Sequence, residues 1–285
     1  MRELIPWWGR IGAKLVLSRL PLEYRQWQKL SLFRHGAMHN PAYALAVFRK
    51  HFAAARLPTG AGFTAMELGP GDSLASAVIA AAHGATRTYL VDSGAFAMTE
   101  PAIYRDLSRY LRSEGLRPPD LERVHDMATL LQACRGSYAT DGLASLRELP
   151  AAAVDFVWSQ ATLEHIRRNE FADTAREIRR IIRQNGICSH HIDLKDHLGG
   201  ALNNLRIPSR WWETEWMARS GFYTNRIRMA EMLHVFESAG FQVASLVATR
   251  WQDLPTPVKA LAPEFRNCDR ADLLVQSFTV SLRAA

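Results

Sequence analysis

From residue 62 onward the chain alternates between short apolar runs and longer stretches whose apolar residues recur every three or four positions. Phe63 to Leu68 is an apolar run ending in a Gly-containing turn, and the Ala-rich stretch Leu74 to Ala82 predicts a helix. Arg87 to Val91 predicts a second strand, ended by Asp92. Residues 96–114 and 120–133 predict helices, the second preceded by Pro118-Pro119. Ser137 to Thr140 predicts a third strand, stopped by Asp141-Gly142, and Val154 to Ser159 a fourth. Phe171, Ala175, Ile178 and Ile182 share one face of a helix over Phe171 to Arg183, and Asn185-Gly186 is expected to turn the chain into a fifth strand, Ile187 to Ile192. A helix over 227–239, closed by Gly240, and two late strands at 241–249 and 273–282 finish the chain. This alternation predicts an α/β fold, a mostly parallel sheet with helices on both faces and ligands at the carboxyl ends of its strands.

Two segments depart from that rhythm. Residues 1–57 read as a helical extension, in which Ile5, Trp8, Ile11, Leu15 and Leu20 can share a face opposite Arg10, Lys14 and Arg19. Such a helix can act as a lid over the main domain, or residues 1–20 can make a peripheral membrane contact. Residues 58–285 then form the main domain, with an insertion over about 194–226 rich in Trp and Arg.

Composition narrows the classes. The 285 residues are 48% hydrophobic and 22% charged, which suits a globular chain with a sizeable core. The formal net charge of +7 favours anionic partners, but the basic residues form no long run and no nucleic-acid module is evident, so nucleic acid is not the expected partner. Cys134, Cys188 and Cys268 are far apart and form no CxxC pair, so neither a zinc site nor a disulfide framework is expected, and a reducing cytoplasm is the simplest compartment. No stretch of 18 or more apolar residues exists, and Pro6, Arg10, Lys14 and Arg19 interrupt the apolar N-terminus, which does not read as a signal peptide.

The most informative chemistry lies in the turn Glu67-Leu-Gly-Pro-Gly-Asp-Ser73. Leu74 stands where the dinucleotide pattern GxGxxG needs a third glycine, and the phosphate loop GxxxxGK[ST] is absent. Glu67 would repel a pyrophosphate but can bind the amino group of an amino-acid tail. Asp92, 21 residues after Gly71, can accept two hydrogen bonds from a ribose, and Asp141 can meet the amine of adenine.

The turn at 67–73, Asp92, Asp141-Gly142 and the segment Val154 to Ile166 together resemble the successive motifs of class I methyltransferases of the methyltransferase type 11 kind, over about residues 62–193. The resemblance implies a Rossmann-like, seven-stranded sheet and S-adenosyl-L-methionine as methyl donor. It implies that Glu67, Gly69 and Gly71, with Asp72, lie near the methionine tail, Asp92 with Ser93 near the ribose, and Asp141 with Gly142 near adenine. Ser159 and Gln160 would line the pocket.

Methyl transfer to a hydroxyl generally needs a base. Ser189 to His197 is dense in such groups, and alternation puts His191 and Asp193 on one face of the strand and His190 on the other. His197 and Asp193 are the first candidates, then His191 and His165. Glu164-His165 resembles the Leu-Glu-His sequence of ubiquinone-biosynthesis-type O-methyltransferases, but Ala161 replaces the expected acidic residue, so no metal is expected. Asn204, Arg206, Arg210, Trp211, Trp212 and Tyr223 are the candidate acceptor-binding residues, Trp for stacking, Arg for anions and Asn for hydroxyls. The expected activity is O-methylation of a small polar, glycan or lipid-linked acceptor. RNA or protein methylation and a non-catalytic cofactor-binding scaffold are the alternatives.

Overall fold

A computed structural model describes residues 37–57 and 62–285, together with Gly9. The amphipathic helix expected in residues 1–20, whether lid or membrane contact, lies outside the described residues.

Seven strands form one sheet in the order β3-β2-β1-β4-β5-β7-β6. They are β1 (Phe63–Leu68), β2 (Ala85–Val91), β3 (Gly136–Ala139), β4 (Val154–Gln160), β5 (Ile182–Asp193), β6 (Phe241–Arg250) and β7 (Val275–Ala284). Strands β1 to β5 pair in parallel, and β7 runs antiparallel to both β5 and β6. The order reverses between β1 and β4, so their carboxyl ends open the crevice where a doubly wound sheet binds its ligand.

Alternation along each strand feeds two cores. Phe63 and Ala65 of β1, Phe156 and Trp158 of β4 and Ile187 of β5 pack under α1 (Pro41–Ala55), α2 (Ala75–Ala82) and α3 (Pro101–Ser113). Met66, Val157, Cys188 and Val280 face the other way, beneath α6 (Arg168–Ile181) and α9 (Met229–Ser238). Between these helices the chain forms α4 (Met127–Ala133), α5 (Leu143–Glu148), α7 (Ser209–Trp212) and α8 (Glu215–Ala218), and α10 (Arg270–Leu273) precedes β7. Helix α1, capped by the Asn40 side chain, buries Ala44, Leu45, Phe48 and His51 in the first core. The sequence boundary at residue 57 therefore falls after a helix that belongs to the main domain.

Element boundaries shift where local chemistry overrides periodicity. The helix expected from residue 96 begins at Pro101, because proline disfavours helical backbone in the residue before it. The helix expected from residue 120 begins at Met127, where Asp126 and Thr129 form a capping box. Asn185-Gly186 lies in a bulge: the β4–β5 ladder breaks after Ile182 and resumes at Ile187, the start expected for this strand. Helix α6 runs directly into β5, whose Ile182 already pairs with Val154, while Arg183 binds Asp155 and Gln184 donates to the Ala285 carbonyl.

Segments 194–228 and 251–274 together cap the carboxyl end of the β4–β5 region with two small cores. One holds Leu198, Trp212, Met217, Phe222 and Tyr223, and the other Leu202, Leu205, Leu261, Ala262, Phe265 and Leu273. The sequence reading placed the first segment as an insertion and gave the second no role.

Candidate active site

Gly69 and Gly71 adopt φ of +74° and +62°, the left-handed region that glycine enters without strain. A Cβ at Gly69 would lie 2.2 Å from Thr162 Cγ2, so the turn after β1 is pressed against the turn after β4. Asp92 joins three strand ends. Its Oδ2 accepts from the Gly71 N–H at 2.8 Å, its Oδ1 from the Ser93 N–H at 2.7 Å, and its carbonyl from the Gly142 N–H at 2.8 Å. Asp72 is buried beside the turn and its carbonyl accepts from the Met98 N–H, which folds the 93–99 loop over it. Asp141, with Gly142 at φ +54°, ends β3 exposed.

Glu67 is buried, and its Oε2 makes no hydrogen bond of good geometry among the described residues. Burial, opposed by the nearby Ser76 hydroxyl and helped slightly by the Asp92 charge, pushes its carboxyl up to about 8. An orphaned acceptor of this kind is a costly feature unless a ligand donor completes it. The donors of S-adenosylmethionine match what this end of the sheet offers: a cationic amine for Glu67, a ribose diol for the Asp92 carboxylate, and an adenine amine for Asp141. The residues present therefore fit that cofactor.

Gln160 and Ser159 face opposite ways. Ser159 Oγ is buried and bonded to His190 Nδ1 at 2.8 Å on the α9 side, so its side chain points away from Gln160 and only its main chain lines the crevice. Gln160 faces α1, where its Oε1 lies 3.1 Å from His51 Nε2. His51, which the sequence reading missed, is fully buried on α1; an isolated His on an apolar helix face carries no sequence signal for its partners.

The base candidates form three groups. His165 Nδ1 lies 2.8 Å from the Tyr223 carbonyl. A carbonyl only accepts, so Nδ1 carries the proton and Nε2 presents a lone pair. That lone pair accepts from His197 Nε2–H at 3.3 Å, with the rings 5.0 Å apart between centroids, so the two imidazoles form one hydrogen-bonded pair. Asp193 Oδ1 accepts from the Lys195 N–H and its Oδ2 pairs with Lys195 Nζ at 3.5 Å, so it turns back on its own loop. His191 binds Thr279 Oγ1 at 2.9 Å, and burial lowers its pKa to about 4, which keeps it neutral.

Glu164 lies beneath the pair. It is buried, its Oε1 accepts from the Asp193 N–H, its Oε2 has no partner among the described residues, and burial pushes it up to about 8. Two further residues, given no site role by the sequence reading, hold this corner. Asn225 Nδ2 donates to the carbonyls of Leu163 and Ile166, which pins the turn that carries Glu164 and His165. Asp196 accepts from the N–H groups of Leu198, Gly199, Gly200, Ala201 and Asn203 and from the Asn203 amide, which shapes the loop that carries His197.

The acceptor-binding candidates divide by burial. Trp212 is fully buried, donates Nε1–H to the Thr224 carbonyl and stacks on Tyr223, so it builds the insert's core rather than a stacking face. Tyr223 is buried too, its hydroxyl donating to Glu213 Oε2. Asn204 donates to Thr224 Oγ1 and leaves its buried Oδ1 without a partner, while Arg206 sits half-buried at the end of a short helical turn. Trp211 is 60% exposed, with the Arg210 guanidinium 5.9 Å from its ring. Of the six, these last two present a free surface.

The sheet order, the antiparallel β7, and a glycine turn with acidic residues at three strand ends define the class I methyltransferase fold with its cofactor crevice. A family model described as a methyltransferase domain matches residues 121–189, from the α4 approach into β5. Over those residues the chain is similar to methyltransferase domains, and the residues at the carboxyl ends of β1, β2 and β3 fit S-adenosylmethionine. No curated protein matches the sequence. Solved structures similar to the chain include a putative methyltransferase of Haloferax volcanii in complex with the Trm112 activator, at 18% identity over 93% of this chain and 99% of that one with a TM-score of 0.46. A putative S-adenosylmethionine-dependent methyltransferase of Listeria monocytogenes is 15% identical over 84% and 96%, also at 0.46. A geranyl diphosphate C-methyltransferase of Streptomyces coelicolor A3(2) is 12% identical over 84% and 79%, at 0.49.

Proposed function

We propose that this enzyme methylates a hydroxyl oxygen of a small polar, glycan or lipid-linked acceptor, with the His165–His197 pair receiving the proton. The observation that carries this reading is the main-chain carbonyl of Tyr223 fixing the His165 tautomer, which makes His165 and His197 one hydrogen-bonded imidazole pair with room for one more proton, on the exposed side of the β4–β5 end. The cofactor supplies an activated methyl group. The protein contributes position, a glycine turn and Asp92 for the donor and an imidazole for the acceptor. When bound, the cofactor would give up its methyl group from the sulfonium and leave as the neutral thioether, and the proton of the acceptor hydroxyl would pass to the imidazole. Exposed Trp211 and Arg210 suit a ring bearing an anionic group.

Incubation with a donor carrying a labelled methyl group and cell fractions of glycan, lipid, RNA and protein tests the acceptor class. Label is expected in glycan, lipid or small-molecule material; label in RNA or protein alone would reject the reading, and no transfer together with cofactor binding would indicate a scaffold. With the labelled acceptor in hand, His165→Ala is expected to lower kcat by about 100-fold or more. The apolar and basic pattern of residues 1–20 also supports a peripheral membrane contact. The full chain should co-sediment with anionic vesicles more than a chain lacking residues 1–36; equal partitioning would reject that contact.

A further inference from the structure

Gln160 closes β4 on the same face of the sheet as Glu67. Glu67 pairs in register with Trp158, and two-residue alternation carries Gln160 onto the face of Trp158. Strands β1 and β4 are neighbours, so the two side chains flank the crevice behind the glycine turn. Glu67 offers an acceptor there. The atom that Gln160 offers depends on which way its amide is turned.

His51 decides that. Its Nδ1 lies 2.8 Å from Ser189 Oγ and its Nε2 lies 3.1 Å from Gln160 Oε1. Ser189 is buried and its hydroxyl has no other partner among the described residues; Gln160 Oε1 only accepts, so Nε2 of the ring is the protonated nitrogen and the Ser189 proton goes to Nδ1. Nε2–H of the neutral ring then donates to Gln160 Oε1. The ring is fully buried and packed 5.1 Å from Trp158, which prevents it from turning. With Oε1 engaged, the Gln160 NH2 is the end left for the crevice, and it donates to no group among the described residues. A carboxylate acceptor on one strand end and an amide donor on the next complement an amino-acid zwitterion.

We propose that the Gln160 amide, oriented by His51, binds the carboxylate of the cofactor's methionine portion, which makes His51 a positioning residue of the cofactor site. This rests on the methyl-donor reading of the crevice. It assigns the chain Ser189, His51 and Gln160 one task, presenting N–H rather than C=O to the tail.

Calorimetric titration with S-adenosylmethionine and with its decarboxylated analogue isolates the carboxylate. The wild type is expected to prefer the intact cofactor by about tenfold or more, the scale of one charge-assisted hydrogen bond. Gln160→Met and His51→Leu should each bring the preference close to one while leaving the affinity for the analogue unchanged. The double variant should be no weaker than Gln160→Met alone, because the two act through one bond. His51→Gln, whose amide N–H can replace Nε2–H, should keep most of the preference. His51→Asn, too short to reach Gln160 but still polar beside Ser189, serves as the second removing variant if His51→Leu is unfolded by circular dichroism. Equal losses for both ligands, additive losses in the double variant, or a wild-type preference in His51→Leu or His51→Asn would overturn the proposal. A wild type that binds both ligands equally rejects this inference alone; one that binds neither rejects the methyl-donor reading beneath it.

Discussion

Glu67 shows how far a single residue can be read from sequence. Its place before the first glycine marks it as a partner for an amine, and the strand puts it at the mouth of the crevice. Its burial and its unpartnered Oε2 are visible only once α2 closes over it. The consequence is a proton. The carboxyl is held protonated up to about pH 8 in the ligand-free protein, and a cationic amine favours the ionised form. Cofactor binding below pH 8 should therefore release a proton, and affinity should rise with pH and level off above it. Binding enthalpies at pH 7 in buffers of different ionisation enthalpy are expected to show a release of between zero and one proton that disappears in Glu67→Gln; equal enthalpies in all buffers would contradict it.

Among the elements, the strands were the most legible and the loops the least. Strands carry alternation or apolar runs, whereas the corner that holds the base candidates depends on hydrogen bonds between residues far apart in the chain, such as Asn225 to the Leu163 carbonyl and His165 to that of Tyr223. Asp196 is the exception, a local device in which one carboxylate gathers the amides of the loop that follows it. Asp196→Ala is expected to destabilise the protein by about 3 kcal/mol, because several charge-assisted bonds are lost and their amides are left unpaired. The fall should appear in urea unfolding, with a loss of turnover in the variant that still folds. A change below about 0.5 kcal/mol would show that the loop holds its shape without the carboxylate.

Across the whole molecule, buried titratable groups set the pH dependence of stability. Burial disfavours the charged rings of His51, His190 and His191 and lowers them from the ordinary 6.5 to about 4, 3 and 4. Their contribution is present above pH 6.5 and is lost as pH falls toward the folded values. Glu67 and Glu164, raised from 4.5 to about 8, work in the opposite sense, and stability declines as pH rises from 4.5 to 8. Between 4.5 and 6.5 three histidines outweigh two carboxyls, and above 6.5 only the carboxyls count, so the ligand-free protein should be most stable near pH 6.5. Thermal unfolding from pH 5 to 8 is expected to show a maximum there and a Tm about 2–4 °C or more lower at pH 8. The alkaline decline should shrink in Glu67→Gln, and a Tm still rising at pH 8 would refute the assignment.

The sequence by itself determined the alternation of strands and helices, the glycine turn, and the acidic residues at three strand ends. Each of these is a local matter of period, backbone freedom or a chain break, written in neighbouring residues. Tertiary structure alone decided that Trp212 and Tyr223 build a core rather than a binding face, that Ser159 points away from the crevice, and that a helix near the N-terminus supplies His51 to orient Gln160. Burial, and hydrogen-bond partners 12 to 109 residues away, are properties of packing, and no periodicity in the chain encodes them.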